Sequence, residues 1–370
     1  MSERLKIFNI VGARPDLPKI SPLLREMQLH PEINPILVHT GQHYDERLSD
    51  IFFRQMGIPA PHVNLDVGSG SHAFQTAEIL KRIEPLLMEQ KPDIVLVVGD
   101  VNSTIAVSLA AAKLGIRIAH VEAGLRSFDR SMPEEINRIL TDALAEYLFV
   151  TEEDAIEHLL RENRPRSAIH FVGNVMIDAL RLFLPLAENS TIGQELNLKF
   201  GNSWRPFVVL TLHRPSNVDF PEKLADLLGA IDSVAQQVPV VFPVHPRTQH
   251  KLAASAIKHH ANLRIIPPVG YVDFLRLLSK AAMVMTDSGG IQEENTALGV
   301  PCLTLRENTE RPITVSEGTN LLVGTDPEKI VAAATAILTG KGKTGLVPPL
   351  WDGHAAERIV DVLLRDLASS

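Results

Sequence analysis

IVLVVGDVNSTIAVSLAAAKLGIRIAHVEAG, residues 94–124, reads as one complete βαβ unit. Five branched apolar residues predict a strand buried on both faces, as in a parallel sheet. Gly99-Asp100 turns the chain, an Ala-rich stretch forms a helix, and Leu114-Gly115 ends it before a second strand that runs into Glu122. A second stretch repeats the order: MVMTDSGGIQEENTALGVPCLTLRE, residues 283–307, has strand, Thr-Asp, a small polar turn, a helix closing on Leu298-Gly299, and a strand running into Arg306 and Glu307. Working outward, strands are expected at Lys6–Val11, Ile36–His39, Ile94–Gly99, Arg117–Val121, Tyr147–Val150 and Ala168–Phe171. A further series is expected at Phe207–Leu212, Val240–Pro243, Leu263–Ile266, Met283–Thr286 and Cys302–Leu305. The expected fold is α/β, with two Rossmann-like doubly wound domains facing a central cleft at the carboxyl ends of their strands. Expected spans are 1–175, 176–353, and a final helix at 354–370 that crosses back to the first domain.

The 370 residues suit two domains. A composition of 45% apolar and 22% charged residues belongs to a globular protein, outside the disordered regime. The net charge of −8 speaks against a nucleic-acid binder, so an anionic ligand needs local basic groups. Cys302 is the only cysteine, which excludes an internal disulfide framework and a cysteine-based zinc cluster. No apolar run approaches a membrane span, and the charged start followed by a short strand is unlike a signal peptide. The expected setting is reducing, soluble and cytoplasmic.

Three groups of residues carry candidate chemistry. In TDSGGIQEE (286–294), Gly289 and Gly290 free the backbone at a helix start whose amides, with Ser288, suit a diphosphate. Glu293 and Glu294 either compensate the helix dipole or accept hydrogen bonds from ribose hydroxyls. The stretch is neither a P-loop nor a GxGxxG fingerprint. A basic group of Arg14, Lys19, His213, Arg214, His245, Arg247, Arg306 and Arg311 falls at expected strand ends and suits a dianionic leaving group. An acidic group of Asp100, Glu122 and Glu134 supplies candidate acids and bases. Structural alternatives exist for two of them: Ser131-Met-Pro-Glu134 matches a capping box, and Asp100 can cap the helix opening near Asn102. No metal site is expected: His39 and His43 lack a clear third ligand, His259-His260 reads as solvated surface, and Gly68–Gly70 reads as a loop before a helix.

The segments GARPDLPKISPLL, TGQHYDERLSDIFF, GDVNSTIAV, HVEAGLRSFDRSMPEEINR, GNVMIDAL, TLHRPSNVD, FPVHPRT, YVDFLRLL, TDSGGIQEENTALG and RENTERPITVSEGTN, between residue 7 and about residue 325, closely resemble the non-hydrolysing UDP-N-acetylglucosamine 2-epimerase family. The resemblance implies a two-domain fold like that of GT-B glycosyltransferases, a homodimer, and UDP held mainly by the second domain. It places Ser288, Gly289, Gly290 and Glu294 on diphosphate and ribose, and Phe274 in the loop bordering uracil. Arg14, Lys19, Asp100, Glu122, Glu134 and His213 match positions around the reacting sugar and phosphates. His245 and Arg311 join the expected UDP-binding set. Ser216 departs from the glutamate often found there. HYDERL, after Gln42, departs from the glutamine-containing loop associated with a regulatory UDP-sugar site.

The implied reaction inverts C2 of a UDP-sugar. Without the fingerprint for NAD, the expected route needs no cofactor: UDP leaves C1 as the C2 proton is removed, and UDP re-adds after reprotonation from the opposite face. Alternatives on the same residues are a UDP-N-acetyl sugar such as a 2,3-diacetamido uronic acid as substrate, a GT-B glycosyltransferase, and a silent UDP-sugar sensor.

Overall fold

The structure, a computed structural model, describes residues 4–13, 15–41, 56–244, 248–249, 251–252 and 260–367. The chain divides into two compact units, one of Met1–Leu182 with Pro349–Ser370 and the other of Phe183–Pro348.

In the first unit, strands β1 (Leu5–Val11), β2 (Ile33–His39), β3 (Val63–Asn64), β4 (Ile94–Val98), β5 (Arg117–Val121), β6 (Tyr147–Val150) and β7 (Ile169–Phe171) form one sheet in the order β3-β2-β1-β4-β5-β6-β7. Every pairing in it is parallel. All five residues of β4 are buried, as a central strand covered on both faces requires. The connecting helices are α1 (Asp16–Met27), α2 (His72–Gln90), α3 (Asn102–Lys113), α4 (Pro133–Leu144) and α5 (Glu153–Arg161). Helix α3 is buried almost all round, from Asn102 to Ala111, and its Ala and Ser side chains let it lie close to its neighbours. The sheet order reverses between β1 and β4, which puts the chain after Val11 and after Val98 at the switch point.

Helix α6 (Val175–Ala187) leads into the second unit. There, β10 (Val208–Thr211), β11 (Val240–Pro243), β12 (Leu263–Ile266), β13 (Met283–Thr286), β14 (Cys302–Thr304) and β15 (Asn320–Leu322) form a parallel sheet in the order β12-β11-β10-β13-β14-β15. Helices α7 (Pro221–Ala235), α8 (Tyr271–Leu278), α9 (Gly289–Leu298) and α10 (Pro327–Ala336) accompany it. A small antiparallel hairpin pairs β8 (Lys199–Phe200) with β9 (Ser203–Trp204). The switch point of this sheet lies between β10 and β13.

The two quoted stretches are β4-α3-β5 and β13-α9-β14, each with its strands side by side. Gly115 and Gly299 end the two helices at φ +70° and +69°, the left-handed conformation that glycine adopts without steric cost. Strands β5, β6, β11, β12 and β13 coincide with their expected spans. The strands not expected, β3, β8, β9 and β15, hold two or three residues each, too few to show a period.

The change of unit falls after Leu182 rather than after residue 175, because α6 runs through the boundary as one helix. The return falls after Pro348 rather than at 354. Trp351, 1% exposed, is already anchored in the first unit, where its Nε1 donates to the Thr151 carbonyl at 3.1 Å. The last helix, α11 (Ala355–Leu367), packs on α1. Its first amides are satisfied by a distant side chain: Asp178 accepts from Ala355 N at 3.1 Å and Ala356 N at 2.7 Å. Asp178→Ala is expected to lower the stability of the first unit by about 1–2 kcal/mol, the usual worth of a cap. Chemical denaturation followed by tryptophan fluorescence should show this; an unchanged midpoint would refute the capping role.

Candidate active site

In the first unit the acidic residues gather at the carboxyl edge of the sheet. After β4, Gly99 takes φ +66°, and a β-carbon there would lie 3.0 Å from Lys19 Nζ. Asp100 follows and forms an ion pair with Arg138. Glu122, immediately after β5, is 3% exposed and adopts φ +71°, a left-handed conformation rarely taken by a non-glycine residue. Lys19 Nζ donates to its Oε2 at 2.6 Å. Asp16, which the sequence reading passed over, accepts from the amides of Gly12 and Ala13 through one carboxyl oxygen, at 2.8 and 2.9 Å. Burial pushes its pKa up to about 6, against the pull of Lys19 and those amides.

The loops that carry Asp100 and Glu122 rest on α4, whose buried face is polar: Glu135, Asn137, Arg138, Thr141 and Asp142. Glu135 accepts from Ser127 N, Ser127 Oγ and Phe128 N, each at 2.9 Å, and from Arg138 Nη2 at 2.7 Å. Burial would raise its pKa, but these donors outweigh it and hold the carboxyl below its ordinary value. Asn137 donates to the Asp100 carbonyl at 2.9 Å. Asp142 Oδ2 accepts from Gly124 N at 3.0 Å and Arg126 Nη2 at 2.7 Å, and His120 Nδ1 lies 2.6 Å from Oδ1. Burial again opposes ionisation, yet His120 and Arg126 keep the Asp142 carboxyl low. The other nitrogen of His120 is 2.8 Å from the Gly99 carbonyl. One helix face therefore holds both loops that carry Asp100 and Glu122.

Neither structural alternative offered for the acidic residues is formed. The N-cap of α4 is Met132, without a side-chain cap, and Ser131 Oγ donates instead to Asp129 Oδ1 at 2.6 Å. Pro133 begins the helix one residue too late for Ser131 to reach it. Glu134 is half-buried, and its carboxylate has no hydrogen-bond partner among the described residues. Helix α3 is capped at Val101, with Asp100 committed to Arg138.

In the second unit, Asp287 follows β13 fully buried. It accepts from the backbone amides of His213 and Arg214 and from Asn217 Nδ2, with His213 Nδ1 2.7 Å from Oδ1. Burial works against ionisation, but His213 and these amides hold the carboxyl below its usual value. The His213 ring is thus fixed through one nitrogen while its side chain stays 54% exposed. Ser288 is the N-cap residue of α9 but makes no side-chain cap bond. Directly beside that helix start, a β-carbon on Gly289 would come within 2.5 Å of Glu310 Oε1 and 2.6 Å of Arg311 Nη1. Gly290 follows in the first turn.

Glu310 takes hydrogen bonds from Arg306 at 2.7 Å, Arg311 at 2.9 Å and Arg214 at 3.4 Å. Those three cations overcome burial and keep it far below the carboxylate range. Arg311 also pairs through Nε with Glu293 at 2.8 Å, so it lies buried between two carboxylates. Glu294, 3% exposed, accepts from the Tyr271 hydroxyl at 2.7 Å. Burial, reinforced by Glu293, pushes its pKa up to about 7 although the Tyr271 bond pulls the other way. Phe274 is half-buried on α8 and packs on the apolar cluster around Val209 and Val284.

The structure thus groups Lys19, Asp100, Glu122 and Glu134 in one unit, and His213, Ser288, Gly289, Gly290 and Arg311 in the other. Arg14, Arg247, His245, His43, His259 and the HYDERL loop lie outside the described residues. Among the described residues no group of three His, Cys, Asp or Glu has the arrangement of a metal site. Asp142, Arg138, Asp287, Glu310 and Tyr271 were missed in the sequence. All but Asp142 sit inside the quoted motifs, and nothing in their spacing marks the residue that orients against the residue that reacts.

A family model described as UDP-N-acetylglucosamine 2-epimerase matches residues 25–364. The chain belongs to the UDP-N-acetylglucosamine 2-epimerase family. This epimerase-family chain is 48% identical over 333 residues to a UDP-N-acetylglucosamine 2-epimerase homolog of Methanococcus maripaludis, covering 88% of the chain and 91% of the relative. It is 42% identical over 364 residues to the UDP-2,3-diacetamido-2,3-dideoxy-D-glucuronate 2-epimerase of Pseudomonas aeruginosa, covering 98% of the chain and all of the relative. Among solved structures, the Methanocaldococcus jannaschii UDP-GlcNAc 2-epimerase, crystallised with UDP-GlcNAc and UDP, matches with a TM-score of 0.90 at 42% identity, over 97% of this chain and 99% of that one. The fold of this epimerase-family chain is accordingly GT-B-like, α/β with parallel sheets in two units.

The raised pKa of Glu294 has a consequence for stability. A carboxyl titrating near 7 when folded and near 4.5 otherwise costs the folded state increasingly as pH rises through that window. Glu294→Gln keeps an acceptor for Tyr271 and removes the charge. It is expected to stabilise the protein by up to about 3 kcal/mol at pH 8, with the gain vanishing near pH 4. Melting temperatures across that range check this, and a variant less stable than the parent at pH 8 would contradict it.

Proposed function

We propose that the chain is a non-hydrolysing UDP-N-acetylglucosamine 2-epimerase that interconverts UDP-GlcNAc and UDP-ManNAc. The observation that carries the reading is the division of labour in the two residue sets. The second unit offers an amide-rich helix start beside His213 and a cluster of arginines, which suits a diphosphate. The first offers three carboxylates in different settings: Glu122 bonded to Lys19, Asp100 paired with Arg138, and Glu134 without a partner among the described residues. Binding alone does not require three such groups.

In this mechanism a carboxylate of the first unit takes the C2 proton as the C1–O bond breaks, giving 2-acetamidoglucal and UDP. The C2 carbon is then reprotonated on the opposite face and UDP re-adds at C1. Ser288, Gly289, Gly290, His213, Arg14, Lys19 and Arg311 stabilise the departing diphosphate, with Arg311 oriented by Glu293 and Glu310. Glu294 accepts from the ribose, Phe274 borders uracil, and His245 joins the UDP contacts. Asp100, Glu122 and Glu134 share the proton transfers. No redox cofactor enters this route. The enzyme would work as a cytoplasmic homodimer and supply an activated sugar for cell-surface polysaccharides. Among the described residues no helix is long and apolar enough to cross a membrane.

A second reading changes only the sugar. The Pseudomonas aeruginosa relative carries the name of a diacetamido-glucuronate epimerase at 42% identity. Ser216, exposed in the short helix after His213, also departs from the family's frequent glutamate.

Proton NMR of the enzyme with UDP-GlcNAc in D₂O, without added NAD, tests the proposal. Deuterium at C2 and a manno-configured product are expected. No exchange with UDP-GlcNAc but exchange with a 2,3-diacetamido uronic acid derivative would establish the second reading. UDP binding without turnover of either would overturn the epimerase reading and leave a glycosyltransferase or a sensor. Glu134→Gln is expected to slow exchange by about 10²–10⁴ at an unchanged melting temperature; near-normal exchange with a lowered melting temperature would make Glu134 purely structural.

A further inference from the structure

Tyr271 and Glu294 form a buried pair that the proposed chemistry does not by itself explain. Tyr271 opens α8, Glu294 lies midway along α9, and their oxygens are 2.7 Å apart with both residues under 10% exposed. The Tyr271 ring is fixed in turn, edge-on to Phe183 with centroids 5.7 Å apart. A hydroxyl so held donates along one direction, and its acceptor is the Oε1 atom of Glu294. The charged and titratable groups that act on Glu294 are Tyr271, from the packed helix, and Glu293, its own neighbour. The charge of Glu293 is in turn compensated by Arg311. Among the described residues, the donor to this unfavourably buried carboxylate is therefore a phenol.

We propose that Tyr271 is a positioning residue that keeps Glu294 ionised and aimed as a hydrogen-bond acceptor, so that binding of the nucleoside diphosphate is coupled to loss of a proton from Glu294. The inference rests on the reading that this chain binds UDP through Glu294. A ribose hydroxyl donates to a carboxylate oxygen, and the protonated carboxyl offers one acceptor fewer and a competing donor. Apparent affinity then scales with the ionised fraction of Glu294. With that group titrating near 7, affinity attributable to Glu294 rises between pH 6 and pH 8 and levels above it. Removing the Tyr271 hydroxyl removes the one interaction that lowers the Glu294 pKa, so the rise moves to higher pH.

The test is titration calorimetry of the full chain with UDP from pH 6 to 8.5, for the parent protein, Tyr271→Phe and Glu294→Gln. Protonation of UDP itself is common to all three and cancels in ratios of Kd. For Tyr271→Phe the ratio to the parent is expected to be on the order of tenfold at pH 6, falling to within about twofold at pH 8.5. For Glu294→Gln the ratio is expected to grow with pH by a similar factor and then level. A Tyr271→Phe ratio that is constant across the range would reduce the hydroxyl to a structural contact and overturn the proposal. Should Tyr271→Phe fail to fold, proton release at pH 7, measured in two buffers of different ionisation enthalpy, decides instead. It should be larger for the parent than for Glu294→Gln, and equal release overturns the coupling. If the parent protein binds no UDP at any pH, the failure lies with the proposed function and not with Tyr271.

Discussion

Arg138 is buried between two carboxylates, Asp100 on the loop after β4 and Glu135 on its own helix, and the first unit is organised around that contact. A guanidinium in such a place is not there chiefly for stability. Desolvating these ions costs several kcal/mol, and apolar packing of similar volume would often hold a helix equally well. What the arrangement supplies is direction. The polar face of α4 fixes Asp100 through its carboxylate and its carbonyl, and it fixes the turn after β5 through Asp142, Gly124 and Arg126. The left-handed Glu122 lies between those two attachments. Its unusual backbone is tolerable because the turn is determined from both sides.

The second unit solves an analogous problem with different residues. Asp287 and Glu310 are buried carboxylates near the start of α9: one holds the His213 ring in place, the other gathers Arg214, Arg306 and Arg311. Glu310 draws three guanidiniums together at that corner, in a chain whose total charge is −8, while Glu293 takes up part of the charge of Arg311. Guanidiniums gathered beside a helix end that presents its first amides are what an anionic leaving group needs. Glycine at position 289 is required by the same crowding, since any side chain would displace Glu310 and Arg311.

Much of this was legible in the sequence. The βαβ stretches at 94–124 and 283–307 declared parallel sheets, because runs such as Ile94–Val98 have no polar face to turn outward. Glycines in Leu-Gly pairs announced the helix ends, and the carboxyl ends of strands announced where chemistry would gather. Less legible was the interior of α4. Glu135, Arg138 and Asp142 are charged, and charged residues on a helix read as surface until their partners from elsewhere in the chain are known. The same holds for Tyr271 and Glu294, separated by more than twenty residues. Ser131 shows the reverse error: a local pattern matched a cap, and a nearer acceptor, Asp129, took the hydroxyl. Short edges such as β15 stayed hidden because three residues carry no period.

If α4 serves to orient the reacting carboxylates, Asp100 and Arg138 must act as one unit. A double-mutant cycle with Asp100→Asn and Arg138→Met, read as the rate of C2 proton exchange of UDP-GlcNAc in D₂O, tests this most directly. The account predicts that Arg138→Met alone slows exchange severely and adds little once Asp100 is gone, a coupling of about 1–3 kcal/mol. Independent losses that multiply in the double variant would contradict it, and Arg138 would then act on the rate by a route that does not pass through Asp100.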